Sequence, residues 1–268
     1  GEVFVTDMAG AGYGVFELET GTTRFVRPEG AGRLKKAANI TIDTDGTRYI
    51  TDTLAGQVLA YDRQDRFLRA YGKTNQFKPA DVAIVDERLY ITDLRNHQVQ
   101  VLDKSSGELL FSFGEQGGGD GQFVHPNSLA LGSGGTIWVV DTNNFRVQQF
   151  SLEGEYLNTV GSVGLSPGTF ARPKGLAVDR DDVLYIVDAA TTKIQILDEE
   201  STPLMYLGRM GGEPQDLYLP TVIKIDYDNL EYFQKYAHPD FELEYLLLVV
   251  NQYGQNSVVV FGYGSLDQ

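Results

Sequence analysis

Along Pro173-Lys174-Gly175-Leu176-Ala177-Val178-Asp179, Leu176 and Val178 alternate with Gly175 and Ala177. Such alternation predicts a strand with one buried face. The same frame returns with Ile40/Ile42, Val82/Ile84, Leu129/Leu131 and Ile223/Ile225 in the aliphatic positions. The opposite face carries Thr41, Ala83, Ala130, Ala177 and Lys224, mostly small residues. Pro79, Pro126, Pro173 and Pro220 follow one another at 47-residue intervals. A fixed period of this length marks a repeat architecture, whose single copies are too small to bury a core alone.

A second apolar run closes each copy on an acidic marker, clearest in Leu184-Tyr185-Ile186-Val187-Asp188. The markers are Asp7, Asp52, Asp93, Asp141 and Asp188, with Asn251 as a degenerate sixth. An aromatic residue stands three positions earlier in five units: Phe4, Tyr49, Tyr90, Trp138 and Tyr185. A third strand is predicted from Val58, Val99, Val147 and Ile194, each six residues past its marker. A fourth is predicted over 67–71, 109–113, 156–160 and 204–207. Glycine-rich loops ending in an aromatic and a proline, such as Gly121 to Pro126, lead into the next unit. The pattern describes an all-β, six-bladed β-propeller of four-stranded antiparallel blades, one domain over residues 1–268.

Two departures sharpen this expectation. The chain starts at the second strand of unit one and ends after the third strand of unit six, giving 22 strands. The blade-closing strands are then missing, and an upstream segment or a partner chain is expected to supply them, because unpaired edges invite pairing. In unit six, the proline-to-marker distance is 31 residues, against 15 in the two units before it. This predicts an insertion at about 229–244, with Asp228 or Asn229 capping a short helix that stops before Pro239. Its aromatics Tyr232, Phe233, Tyr236 and Phe241 have two readings: a flap covering its own blade, or a partner-binding surface.

The combination Gly-x-Phe-x-x-Pro-x-Gly-Leu-Ala-Val-Asp, Tyr-Ile-Val-Asp and Arg-Val-Gln-x-Phe resembles the NHL repeat over essentially the whole chain. The resemblance implies the propeller and leaves function open, since such folds host lyases, lactonases, RNA binders and protein-binding scaffolds. Asp141 to Gln148 and Asp226 to Phe233 resemble a bacterial subgroup of exported NHL proteins often encoded beside multihaem c-type cytochromes. That likeness implies an extracytoplasmic location and a cytochrome or surface assembly as partner.

Composition narrows the function. The net charge of −15 disfavours nucleic acid and anionic membranes, both of which are bound through Lys and Arg, and suits a basic protein partner. The longest aliphatic run, Leu246 to Val250, is far short of a membrane span. With no cysteine there is neither a disulfide nor a thiolate metal site.

The marker aspartates are the most repeated polar residues. Six similar copies suit strand-end turns better than a catalytic centre, which needs different residues at different places. Asp43-Thr44-Asp45-Gly46 carries a fragment of a calcium loop without its downstream Glu, and reads as a hairpin turn. Gly114 to Gly121 lacks the Lys-Ser/Thr of a phosphate cradle and reads as an interblade loop. The resemblance brings His-bound zinc in lyases and axial calcium in lactonases. His97, His125 and His238 are spread over loops unsuited to joint coordination. Asn39, Asp81, Asn127 and Lys174 are the polar residues expected at the channel mouth. The first three form at best a weak calcium site, opposed by the Lys174 charge. No catalytic or metal residue is assigned. The reading that follows is a non-catalytic interaction scaffold. The alternative is a metal-dependent lyase or hydrolase at the channel mouth.

Overall fold

The computed structural model describes residues 1–266 apart from Met8, Gly10, Thr74, Asn75, Ser201, Met210, Gly212, Pro214, Gln215 and Gln255. Six antiparallel sheets make a six-bladed, all-β propeller. Blade one holds β1 (Glu2–Asp7), β2 (Gly12–Glu17) and β3 (Thr22–Val26). Blade two holds β4 (Ala37–Ile42), β5 (Arg48–Asp52), β6 (Gln57–Tyr61) and β7 (Phe67–Tyr71). Blade three follows with β8 (Pro79–Val85), β9 (Arg88–Asp93), β10 (Gln98–Asp103) and β11 (Leu109–Phe113). Blade four has β12 (Pro126–Gly132), β13 (Thr136–Asp141), β14 (Arg146–Ser151) and β15 (Tyr156–Val160). Blade five has β16 (Pro173–Val178), β17 (Leu184–Asp188), β18 (Lys193–Leu197) and β19 (Pro203–Leu207). Blade six has β20 (Pro220–Asp226), β21 (Phe241–Asn251) and β22 (Val258–Leu266). Blades one and six thus have three strands each and the others four, among the described residues. No helix among them is long and apolar enough to cross a membrane.

The chain divides into two compact units, Glu2–Leu129 and Ala130–Gln268, with Gly1 grouped in the second. In the first, Tyr13, Val15, Leu34, Ile50, Leu59 and Tyr61 form one buried cluster and Tyr49, Val58, Phe77, Val82, Leu89 and Ile91 another. In the second, the clusters centre on Trp138, Phe170 and Ile186 and on Tyr185, Ile223 and Leu247. These are the alternating apolar positions of the sequence, now facing between blades. Blades one and two are further joined by Asp65, which accepts hydrogen bonds from Tyr13 Oη at 2.6 Å and from Arg24 and Arg48.

The marker aspartates Asp52, Asp93, Asp141 and Asp188 are buried, and the first and last show that they do more than close their own turns. Asp52 accepts backbone N–H groups of Lys35 and Lys36 from the lead-in loop and of Leu54 and Ala55 from the next turn. Asp188 repeats this with Ala171, Arg172, Ala190 and Thr191. Asn251 keeps half of the device by accepting the Tyr218 N–H.

The insertion at 229–244 is corrected in kind. Only its first part is a loop, with one short helix, α1 (Leu230–Gln234). Asn229 stands at the N-cap position but turns its amide back to Asp226 Oδ2 at 2.6 Å instead of capping. From Phe241 onward the chain is strand. Phe241 pairs with Leu266 and Tyr245 with Tyr263, so the β21–β22 hairpin is lengthened. Stacking of Tyr245 on Tyr263, with centroids 4.5 Å apart, helps fix that extension.

Candidate functional site

The channel-mouth residues of the first unit converge on one carboxylate. Asp81 is 1% exposed. Its Oδ1 accepts Asn39 Nδ2 at 2.5 Å and the Val82 N–H at 2.9 Å. Its Oδ2 accepts Ser128 Oγ at 2.8 Å and the Leu129 N–H at 3.2 Å. Thr92 Oγ1 accepts the Asp81 N–H, and Thr51 Oγ1 accepts the Asn39 N–H, each at 2.9 Å. The first strands of blades two, three and four are thereby tied through side chains.

Of the residues expected at the channel mouth, Asn39 bonds directly to Asp81, and the third partner is Ser128, one residue past Asn127. In β12 the hydroxyl reaching Asp81 belongs to Ser128, next to the half-buried Asn127. Ser128 directly precedes Leu129 as Asp81 precedes Val82 and Asn39 precedes Ile40, so it holds the equivalent place in the repeat, and Asn127 lies one position before it. A calcium ion does not fit this group. Four hydrogens already point at the Asp81 oxygens, and Asn39 Oδ1 is held by the Ile40 N–H at 2.9 Å, which turns the amide nitrogen toward Asp81. A cation needs oxygen lone pairs where these donors stand. Among the described residues, no group of three His, Cys, Asp or Glu is placed to hold a metal.

His97 and His125 do meet. Their rings lie 5.9 Å apart, edge to face, and the His125 N–H donates to His97 Nδ1 at 3.4 Å. Both residues are left-handed, with φ 56° and 68°. His238 lies instead beside Asp240, with Nδ1 3.6 Å from Oδ2.

In the second unit, Lys174 starts β16 and is half-buried. Burial pulls its ammonium below the ordinary lysine value, and the positive charge of Arg172 pushes the same way. The neighbouring Gly175 is where β16 and β20 touch. A Cβ there would lie 2.8 Å from Thr221 O and 3.0 Å from Val222 Cα. Asp43 to Gly46 is a hairpin turn, with the Gly46 N–H donating to Asp43 O at 2.8 Å.

Three of the insertion aromatics lie close together. Tyr232 lies 5.0 Å from Phe233 and 6.0 Å from Tyr236, and Lys235 Nζ sits 3.8 Å above the Tyr232 ring. Phe233, Tyr236 and Phe241 line a groove of about 390 Å³ with Leu243, Leu246 and Val260. Phe233 is half-buried there, whereas Tyr236 is 69% exposed.

Residues 123–150 match the family model of the NHL repeat. This stretch runs from the end of the lead-in loop through the first three strands of blade four, and it contains the Arg146-Val147-Gln148-Gln149-Phe150 part of the motif read above. Among solved structures, the fold is similar to virginiamycin B lyase from Staphylococcus aureus, with a TM-score of 0.65 and 15% identity over 98% of this chain and 80% of that one. It is similar to a gluconolactonase from Xanthomonas campestris, with a TM-score of 0.69 and 15% identity over 98% and 82% of the two chains. It is also similar to the hydrazine synthase of Kuenenia stuttgartiensis, with a TM-score of 0.60 and 12% identity over 98% and 92%. At such identities the likeness speaks for the fold. It nevertheless overturns the expectation of a non-catalytic interaction scaffold, because the structures named are enzymes, a lyase and a lactonase among them.

Proposed function

We propose that the chain is a catalytic propeller, a hydrolase or lyase that uses Lys174 as its base at the start of the fifth blade. The observation that carries this reading is an amine seated half-buried on a first strand between Pro173 and Gly175, within electrostatic reach of Arg172. An amine held below its ordinary pKa is neutral over more of the working pH range and can take a proton. In hydrolysis, Lys174 Nζ would take a proton from water as the oxygen adds to an ester carbonyl. The same proton would return to the departing alkoxide. In elimination, it would take a proton from carbon as the C–O bond on the adjacent carbon breaks, the C–H electron pair becoming the C=C bond and the proton passing to the departing oxygen. Arg172 supplies positive charge near the developing anion. Since Asp81 is saturated by protein donors, no step is assigned to a metal.

The similar enzymes suggest the substrates to try first: gluconolactone and virginiamycin B, with a panel of simple lactones. Turnover is expected with and without chelator. Neutral Lys174 is the active form, so the rate should rise with pH and level off above the lowered lysine value. Lys174→Met should lower kcat by at least about 100-fold, in line with loss of a general base. Equal kcat in Lys174→Met and the unaltered protein, or no turnover on any of these substrates, would refute the assignment. The resemblance of Asp141–Gln148 and Asp226–Phe233 to exported NHL proteins supports an extracytoplasmic setting, with a multihaem cytochrome as neighbour.

A further inference from the structure

Most seams between blades are shut by a side chain from the lead-in loop. Phe77, Phe123 and Phe170 are each 0% exposed, and Leu217 is likewise. Each packs on a glycine that ends the previous blade: Gly72, Gly114, Gly161 and Gly208. Those glycines have φ between 82° and 89°, and a Cβ on any of them would overlap the plugging side chain. The pairing needs both partners. It is strengthened where the lead-in loop bonds back along the chain, as in the Phe123 N–H to Glu115 O at 2.8 Å and the Phe170 N–H to Ser162 O at 2.7 Å.

The seam between blades one and two lacks the glycine. Val26 pairs with Tyr13 as Tyr71 pairs with Val58, so Arg27 stands where Gly72 stands one blade later. The plug is Leu34, smaller than phenylalanine, and the lead-in loop turns through the 3-10 segment Gly30–Gly32. A cavity of about 560 Å³ remains in this seam, within the range of small-molecule sites. Its walls include Ala11, Ala31, Leu34 and Leu59, and Arg33 and Lys35 are its charged members. The one polar amide in the wall, that of Gln57, is committed to Gly72 O at 2.7 Å. Neither Arg33 nor Lys35 forms an ion pair among the described residues. Both side chains are exposed, in a protein with a net charge of −15. The main-chain N–H of Lys35 is anchored to buried Asp52, which fixes where its side chain leaves the loop.

From the missing glycine, the apolar wall and the two cations, we infer a binding site for an organic carboxylate with an apolar body. The wall takes the aliphatic or aromatic part, and Arg33 and Lys35 take the carboxylate. Locally reversed charge draws an anion to a surface that elsewhere repels it. The site lies in the first compact unit and does not depend on the role of Lys174.

Isothermal titration with octanoate, octylamine and acetate tests the inference directly. Octanoate should bind saturably, acetate at least about tenfold more weakly for want of an apolar body, and octylamine not measurably at the same concentrations. Restoring the glycine and enlarging the plug with Arg27→Gly and Leu34→Phe together should abolish octanoate binding. Reversing the charges with Arg33→Glu and Lys35→Glu should weaken it at least about tenfold. The second variant changes only exposed side chains, so it remains informative if the plugged one does not fold. Octanoate binding unchanged in the charge-reversed protein, octylamine binding as tightly, or no saturable octanoate binding would overturn the inference.

Discussion

Where β4, β8 and β12 approach one another, polar side chains fill the space; where β16 meets β20, none does. In the first region, Asn39, Asp81 and Ser128 occupy equivalent repeat positions and bond to one another, backed by Thr51 and Thr92. In the second, the equivalent positions are Gly175 and Val222, and the residues before the markers are Val187 and Val250. One region sets register by directional hydrogen bonds, the other by the absence of a side chain. The first is therefore chemically spent, because every Asp81 oxygen is engaged. A reactive group is better sought at Lys174, beside the glycine contact.

The largest effect is expected from Asp81→Leu. It removes the acceptor shared by three strands and leaves four buried donors unpaired, which should cost about 3–5 kcal/mol. A urea midpoint unchanged by this substitution would mean that the network is incidental. Gly175→Ala should cost about 1–3 kcal/mol, since its Cβ would meet main-chain atoms that cannot rotate away. The same alanine at Ser128 should be milder, because it deletes a hydroxyl without adding volume; a reversal of that order in thermal melts would break the comparison. Thr92→Val is the smallest change. It leaves the Asp81 N–H without its side-chain acceptor, at about 1–2 kcal/mol. Because valine already stands at this position in blades four to six, a steric penalty is not expected, and the urea midpoint reports the lost bond.

Much of this was legible before any coordinates. The 47-residue spacing, the markers and the alternating aliphatics foretold 22 strands close to their observed bounds, because each signal recurs and every copy checks the others. What recurred once was misread. Counting from the prolines points to Asn127, whereas counting from the aligned aliphatics Ile40, Val82 and Leu129 points to Ser128, the residue that bonds to Asp81. The extra length of blade six was taken as a loop because a distance between proline and marker cannot tell loop from strand. Alternation in Phe241-Glu242-Leu243-Glu244-Tyr245 was the available sign of the longer hairpin. The open seam was also written in the chain, as an arginine at position 27 where the other seams carry a glycine. It becomes visible only once the other seams show what that glycine does.

The buried marker carboxylates have a consequence for how such a chain can change over time. Many of their partners are main-chain amides, which every residue but proline possesses. Substitutions in the lead-in loops and turns therefore leave those bonds standing, whatever side chains arrive. Sequence drift is absorbed around each aspartate, while the aspartate itself has little freedom. A mutational scan of blade two should accordingly find Lys35, Lys36 and Leu54 permissive to nearly everything except proline, with Asp52 intolerant between them.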